Sequence, residues 1–130
     1  MKISDVSART GLSIDTLRFY EKIGLIDPPH RSGGRRDYDE TILAWISFLQ
    51  ALKATGMPLS QMRDYARMRR EGVETSAPRR RMLQDQREVV KARIAELQDC
   101  LGLLDHKIEN YERIEAEHAA EDRRKTGTHR

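Results

Sequence analysis

Ser13-Ile14-Asp15-Thr16-Leu17-Arg18-Phe19-Tyr20-Glu21-Lys22-Ile23-Gly24 is the stretch on which the fold of this 130-residue chain turns. The Ser13 hydroxyl can accept from an exposed N–H of a helical first turn, and Ile14, Leu17 and Tyr20 or Glu21 follow at helical spacing. Gly24 is a stop signal. Upstream, Ser4 reads as the cap of an earlier short helix that carries Val6 and ends at Gly11. Two short helices joined by a tight turn form a helix-turn-helix, whose second helix can enter a DNA major groove and offer its N-terminal side chains to base edges.

Downstream, Leu25-Ile26 and Asp27-Pro28-Pro29 lead into Arg31-Ser32-Gly33-Gly34-Arg35-Arg36 and Tyr38. Prolines exclude a helix and the paired glycines mark a turn, so the reading is a small β-hairpin, or wing, with its tip near 32–34. A third helix is expected over about 40–55, with Ile42, Leu43, Ile46, Leu49 and Leu52 as its apolar positions. Gly56 and Pro58 separate it from a fourth helix near 59–70, and Gly72 ends that one. These elements assign 1–71 to a winged helix-turn-helix head and 72–78 to a linker.

From 79 to 117 an apolar repeat takes over. Leu83, Val90, Leu97, Leu104 and Tyr111 recur every seven residues, and Ile94, Leu101 and Ile108 fill the other seam position. An a/d pattern sustained in this way argues for a coiled coil, and its simplest partner is a second copy of the chain. Residues 118–130 read as a polar, disordered tail. The expected class is therefore all-α with a small β wing, ending in one long dimerisation helix.

Composition narrows the function. Hydrophobic residues make up 38 % and charged residues 35 %, lean enough that burial against a second subunit is expected. The net charge is +3, too small to argue for nucleic acid by itself, so local clustering must carry that argument. Cys100 is the single cysteine, which rules out an intrachain disulfide and a cysteine-based zinc cluster. The four histidines show no metal-ligand spacing. No nucleophile–base set and no phosphate-cradling glycine loop is present, so neither an enzyme nor a cofactor or metal is expected. With no apolar run of membrane-spanning length and no signal-peptide core, the expected location is the cytoplasm.

On the second helix Thr16 can donate, accept or touch a thymine methyl, with Ser13 beside it at the helix start. Arg18 and Lys22, four residues apart, share one face and suit phosphate or guanine, and Tyr20 can offer its hydroxyl to a phosphate. Phe19 reads as core. In the wing, Arg31, Arg35 and Arg36 flank a glycine turn through which backbone and guanidinium groups can approach a phosphate; a solvated loop is the bland alternative.

Ile3-Ser4-Asp5-Val6-Ser7, then Leu17 through Ile26, then Gly34-Arg35-Arg36-Asp37-Tyr38 together resemble the MerR family of regulators. The resemblance implies a homodimeric, DNA-bending transcriptional regulator. Such a protein binds a pseudo-palindromic promoter operator and untwists an overlong spacer for RNA polymerase in response to an effector or stress. By position it implies recognition-helix contacts from Thr16, Arg18 and Tyr20 and wing contacts from Arg36 and Tyr38. Phe19 stands where the family often has tyrosine. Thr55-Gly56-Met57-Pro58-Leu59 is similar to the aldehyde- and electrophile-responsive branch, yet Leu49–Ala54 lacks that branch's usual cysteine. A small organic effector is therefore expected in a groove between the long helix of one subunit and the head of the other, lined by Trp45, Met57, Met62 and Met68, with plain core as the equal alternative for these side chains. Cys100 reads as a coiled-coil flank, with a redox link between subunits as its alternative. The alternative is an architectural or excisionase-like DNA binder without effector response, against which the long coiled coil argues.

Overall fold

The computed structural model describes residues 1–127. Helices α1 (Ile3–Thr10) and α2 (Ile14–Lys22) lead into strands β1 (His30–Ser32) and β2 (Arg35–Asp37), followed by α3 (Thr41–Ala54), α4 (Leu59–Glu71), a 3-10 turn (Val73–Thr75) and α5 (Ser76–Gly127). The chain forms two compact units, a head of Met1–Arg87 and the helical stretch from Glu88 onward.

Local chemistry accounts for most boundaries in the head. The α1 cap differs from expectation. Lys2, not Ser4, precedes the helix, and the Asp5 carboxylate accepts from the Lys2 N–H at 3.0 Å, because an acid in the first turn reaches back to an orphan donor. Gly11 closes α1 in the left-handed region at φ 76°. Ser13 caps α2 as its sequence implies, accepting from the Thr16 N–H at 3.0 Å. The hairpin is antiparallel with Arg31 opposite Arg36 and Ser32 opposite Arg35. Its two turn residues, Gly33 and Gly34, both have positive φ, 59° and 80°, which is the twist a two-residue hairpin loop requires.

The core joins every helix of the head, leaving out the wing strands and the 3-10 turn. Val6 of α1, Leu17 of α2, Leu25 and Ile26 after it, Ile46 and Leu49 of α3, and Met62 of α4 are all fully buried. Each such side chain contributes roughly 1.5–3 kcal/mol relative to exposure. Trp45 fixes the connection after α2, donating its indole Nε1–H to the Leu25 carbonyl at 2.8 Å while its ring stacks on Tyr65. The first turns of α5 belong to this head. Met82 and Leu83 pack on the core, and the Gln86 amide donates to the Thr55 hydroxyl at 2.9 Å.

Three expectations change here. Leu83, read as the first seam residue, is a head residue, because it meets apolar surface of its own protomer. The 72–78 linker shrinks to Gly72 and a 3-10 turn, and Pro78 sits inside the first turn of α5, where no N–H is needed. The helix also does not stop at 117. It runs to Gly127, since Ala119, Ala120 and the charged residues around them are good helix formers, and Arg124 and Lys125 complement the dipole at the last turn. Of the tail expected to be disordered, 118–127 is thus helical, and 128–130 lies outside the described residues.

In the second unit, Ile94, Leu97, Leu101, Leu104, Ile108 and Tyr111 keep between 49 and 60 % of their surface open. Val90, nearer the head, is half-buried. The heptad is therefore an exposed apolar stripe along α5, with Val89, Leu103 and Ile114 as further exposed apolar side chains.

Candidate nucleic-acid interface

The start of α2 carries a pair of coupled hydroxyls. Ser13 Oγ–H donates to Thr16 Oγ1 at 2.8 Å, and the same Ser13 oxygen accepts from the Thr16 backbone. Thr16 Oγ1 accepts one hydrogen bond here and keeps its own O–H and a methyl group available. That pairing suits the acceptors and the thymine methyl of the major-groove edge. Arg18 and Lys22 follow on the exposed surface of α2.

Of the next two positions, Phe19 departs from the role expected of it. Tyr20 is 6 % exposed and sits in the core, whereas Phe19 is 47 % exposed. Successive helical residues lie about 100° apart, and the core face here is the one through Leu17 and Tyr20. The reading of Phe19 as core is corrected accordingly, and the ring of Tyr20 takes that place in the core.

The wing divides into committed and uncommitted charges. Arg36 Nη1 donates to Glu21 Oε2 at 2.9 Å, and the Tyr38 hydroxyl donates to Glu21 Oε1. Tyr38 is 3 % exposed, so it is a buried strut between wing and recognition helix and not a wing contact on its own account. Burial, then the neighbouring Glu21 carboxylate, pushes its phenol up to about 12, which keeps it a donor. Arg31 and Arg35 are exposed and make no hydrogen bond or ion pair among the described residues, and the same holds for Arg18 and Lys22. Arg63 Nε and Arg70 Nη1 donate to the carbonyls of Ile23 and Gly24 at 2.9 and 2.7 Å, where the end of α2 leaves acceptors open.

Sequence reasoning missed Glu21 as a hub. It stands 15 residues from Arg36 and 17 from Tyr38, with no local spacing to announce the contact.

The residues expected to line an effector groove do not share a surface. Met57 and Met62 are buried in the head's core, so that expectation is corrected for them; α3 and α4 close over both. Met68 is half-buried. Trp45 lines a cleft of about 330 Å³ together with Pro28, Pro29, Tyr38, Ile42 and Arg69. The Arg69 guanidinium already lies 4.1 Å from the centre of its ring. No helix among the described residues is long and apolar enough to cross a membrane.

Comparison with known proteins places this geometry. The profile of the MerR HTH family regulatory proteins matches residues 1–69, and the MerR DNA-binding profile matches 43–107. The HTH-type transcriptional regulator AdhR of Bacillus subtilis (strain 168) is 37 % identical over 89 residues, 68 % of this chain and 64 % of AdhR's own length. A MerR family transcriptional regulator from Listeria monocytogenes superposes with a TM-score of 0.85 at 38 % identity, covering 94 % of this chain and 95 % of that one. HiNmlR, described as a MerR family regulator lacking the sensor domain and solved bound to promoter DNA, superposes with a TM-score of 0.78 at 35 % identity over 88 % of this chain and 92 % of its own. These families and relatives are transcriptional regulators, not enzymes. The winged helix-turn-helix with its exposed cations and the sequence matches agree: the chain belongs to the MerR family of DNA-binding transcriptional regulators.

Proposed function

We propose that two copies of this chain, joined along α5, bind a pseudo-palindromic promoter operator and bend and untwist its spacer for RNA polymerase in response to an effector or stress. The observation that carries this reading is the conjunction of two surfaces on one protomer. One is the group of uncommitted cations Arg18, Lys22, Arg31 and Arg35, with Ser13 and Thr16 at the start of α2. The other is the half-open apolar stripe from Ile94 to Tyr111. The first positions a duplex and reads base edges; the second requires a cover.

Charge supports a second copy as that cover and an antiparallel arrangement of the two. Residues 79–98 of α5 carry six basic side chains against three acidic, whereas 99–122 carry two basic against eight acidic. Antiparallel pairing sets the basic half of one helix beside the acidic half of the other, and parallel pairing opposes like charges. Two heads then meet two half-sites, and deforming the DNA between them costs on the order of 1–6 kcal/mol, which protein contacts offset. An effector acts by favouring one of the two DNA shapes. The protein works in the cytoplasm, on chromosomal DNA.

A second reading, DNA binding without effector response, draws support from the description of HiNmlR as lacking the sensor domain. The test that separates them begins by selecting bound duplexes from fragmented genomic DNA. Stoichiometry and salt dependence on the selected promoter come next, followed by transcription with and without candidate stresses. Two protomers per site are expected. The log–log salt slope should be about −7 or steeper, from four uncommitted cations in each head. A monomeric complex or a slope near zero refutes the proposal. Constant transcription under every stress favours the second reading.

A further inference from the structure

We propose that Glu21 is a positioning residue that stands in for a DNA phosphate. In the unbound head it holds Arg36, and Arg36 passes to the DNA backbone only where the duplex fits the wing. The inference rests on the DNA-binding reading above and concerns how that reading gains specificity.

Three features carry it. Arg36 lies directly opposite Arg31 across the hairpin, so both guanidiniums stand on one face of a two-stranded ribbon, a like-charge pairing that is unfavourable unless an anion intervenes. Glu21 supplies an anion to Arg36 alone, its carboxylate accepting Arg36 Nη1 at 2.9 Å, while Arg31 stays open. Secondly, the Glu21 side chain is only 11 % exposed, whereas that of Arg36 is 39 % exposed. The carboxylate stays put and the guanidinium has an open route to solvent. Thirdly, the Tyr38 hydroxyl donates to the other oxygen of Glu21. When Arg36 leaves, the largely covered carboxylate keeps one strong donor, so the exchange does not strand a charge.

The consequence is selective. On a duplex whose backbone does not meet the wing, Arg36 gains nothing by leaving Glu21 and contributes no counterion release. On a matched operator a phosphate replaces the carboxylate as its partner. Specificity then arises at a residue that touches no base, through the shape of the backbone alone.

The test is the salt dependence of binding to the selected promoter duplex and to a random duplex of equal length, measured by fluorescence anisotropy on the full chain. For the wild type the promoter slope should exceed the random slope by about 1.8, one additional phosphate per head. Glu21→Gln keeps an acceptor for Tyr38 but weakens the hold on Arg36. It should steepen the random-duplex slope by about 1.8 and narrow the gap between the two DNAs. On an Arg36→Gln background the same change should be silent. A purely structural role for Glu21 predicts instead weaker binding to both duplexes at unchanged slopes, and that result overturns the proposal. If Glu21→Gln does not fold by circular dichroism, Arg36→Gln alone decides: it must lower the promoter slope and leave the random slope unchanged. A wild type that binds no promoter refutes the DNA-binding reading itself, whereas equal wild-type slopes refute only this inference.

Discussion

Leu97 is the sharpest probe of what covers α5. It lies inside the heptad stripe and keeps 60 % of its surface open in the protomer. Fully burying a leucine stabilises by about 1.5–3 kcal/mol, so covering the remaining fraction is worth roughly 1–2 kcal/mol in each copy and about 2–4 kcal/mol in a symmetric dimer. Leu97→Ala should therefore raise the dimer dissociation constant by about 30- to 1,000-fold. Leu97→Glu should act more strongly, because each copy would bring an unpaired carboxylate into an apolar seam. Sedimentation equilibrium across a nanomolar-to-micromolar series reads the shift directly. Operator affinity should fall with it, since two heads no longer act on one site. The head's own melting should be untouched, because Leu97 lies outside the 1–87 unit. A Leu97→Glu protein that dimerises like the wild type would refute the assignment of this stripe to the dimer seam.

Thr16→Ala should relax sequence preference, because it deletes the hydroxyl that the Ser13–Thr16 pair offers at the start of α2. Arg35→Ala should weaken promoter and random duplexes by similar factors; competition with random DNA tells the two apart, and equal losses of specificity would contradict this division. Tyr38 carries a pH signature. With its folded pKa raised from 10.0 to about 12, its contribution is complete below pH 10 and disappears as pH climbs through 12. Denaturant melts between pH 9 and 12 should show the wild type losing about 2–3 kcal/mol more than Tyr38→Phe, and parallel curves would refute the strut. Gly34→Val places a β-branched residue at φ 80° and should cost the wing turn about 1–2 kcal/mol, weakening DNA binding while the helical spectrum stays unchanged.

Short-range signals made much of this protein readable from its sequence. Ser13 caps α2 because a hydroxyl three residues from an open N–H needs nothing distant to form its bond. Gly33-Gly34 makes the wing turn for an equally local reason, since both positions require positive φ. The period of seven along α5 is a property of one helix, visible whether or not a partner is present. Other assignments failed where the answer depended on a neighbour far along the chain. Whether Phe19 or Tyr20 faces inward is a rotation of about 100°, and the core that Tyr20 joins is assembled from residues far along the chain. Leu83 continues the heptad in sequence but meets the head's core in space. Met57 and Met62 look like adaptable surface in a list of residues and become core once α3 and α4 close over them.

Sequence alone thus determined the helix-turn-helix, the wing and the apolar stripe of α5, because caps, turn glycines and apolar periods act over one or two helical turns. Only the tertiary structure decided which cations remain uncommitted for DNA, leaving Arg31 and Arg35 open and tying Arg36 through Glu21 to Tyr38. The reason is physical: a charge's partner is set by distance in space, and the Glu21 carboxylate is brought to the wing by the burial of Leu17, Tyr20 and Tyr38 and not by anything adjacent to it in the chain.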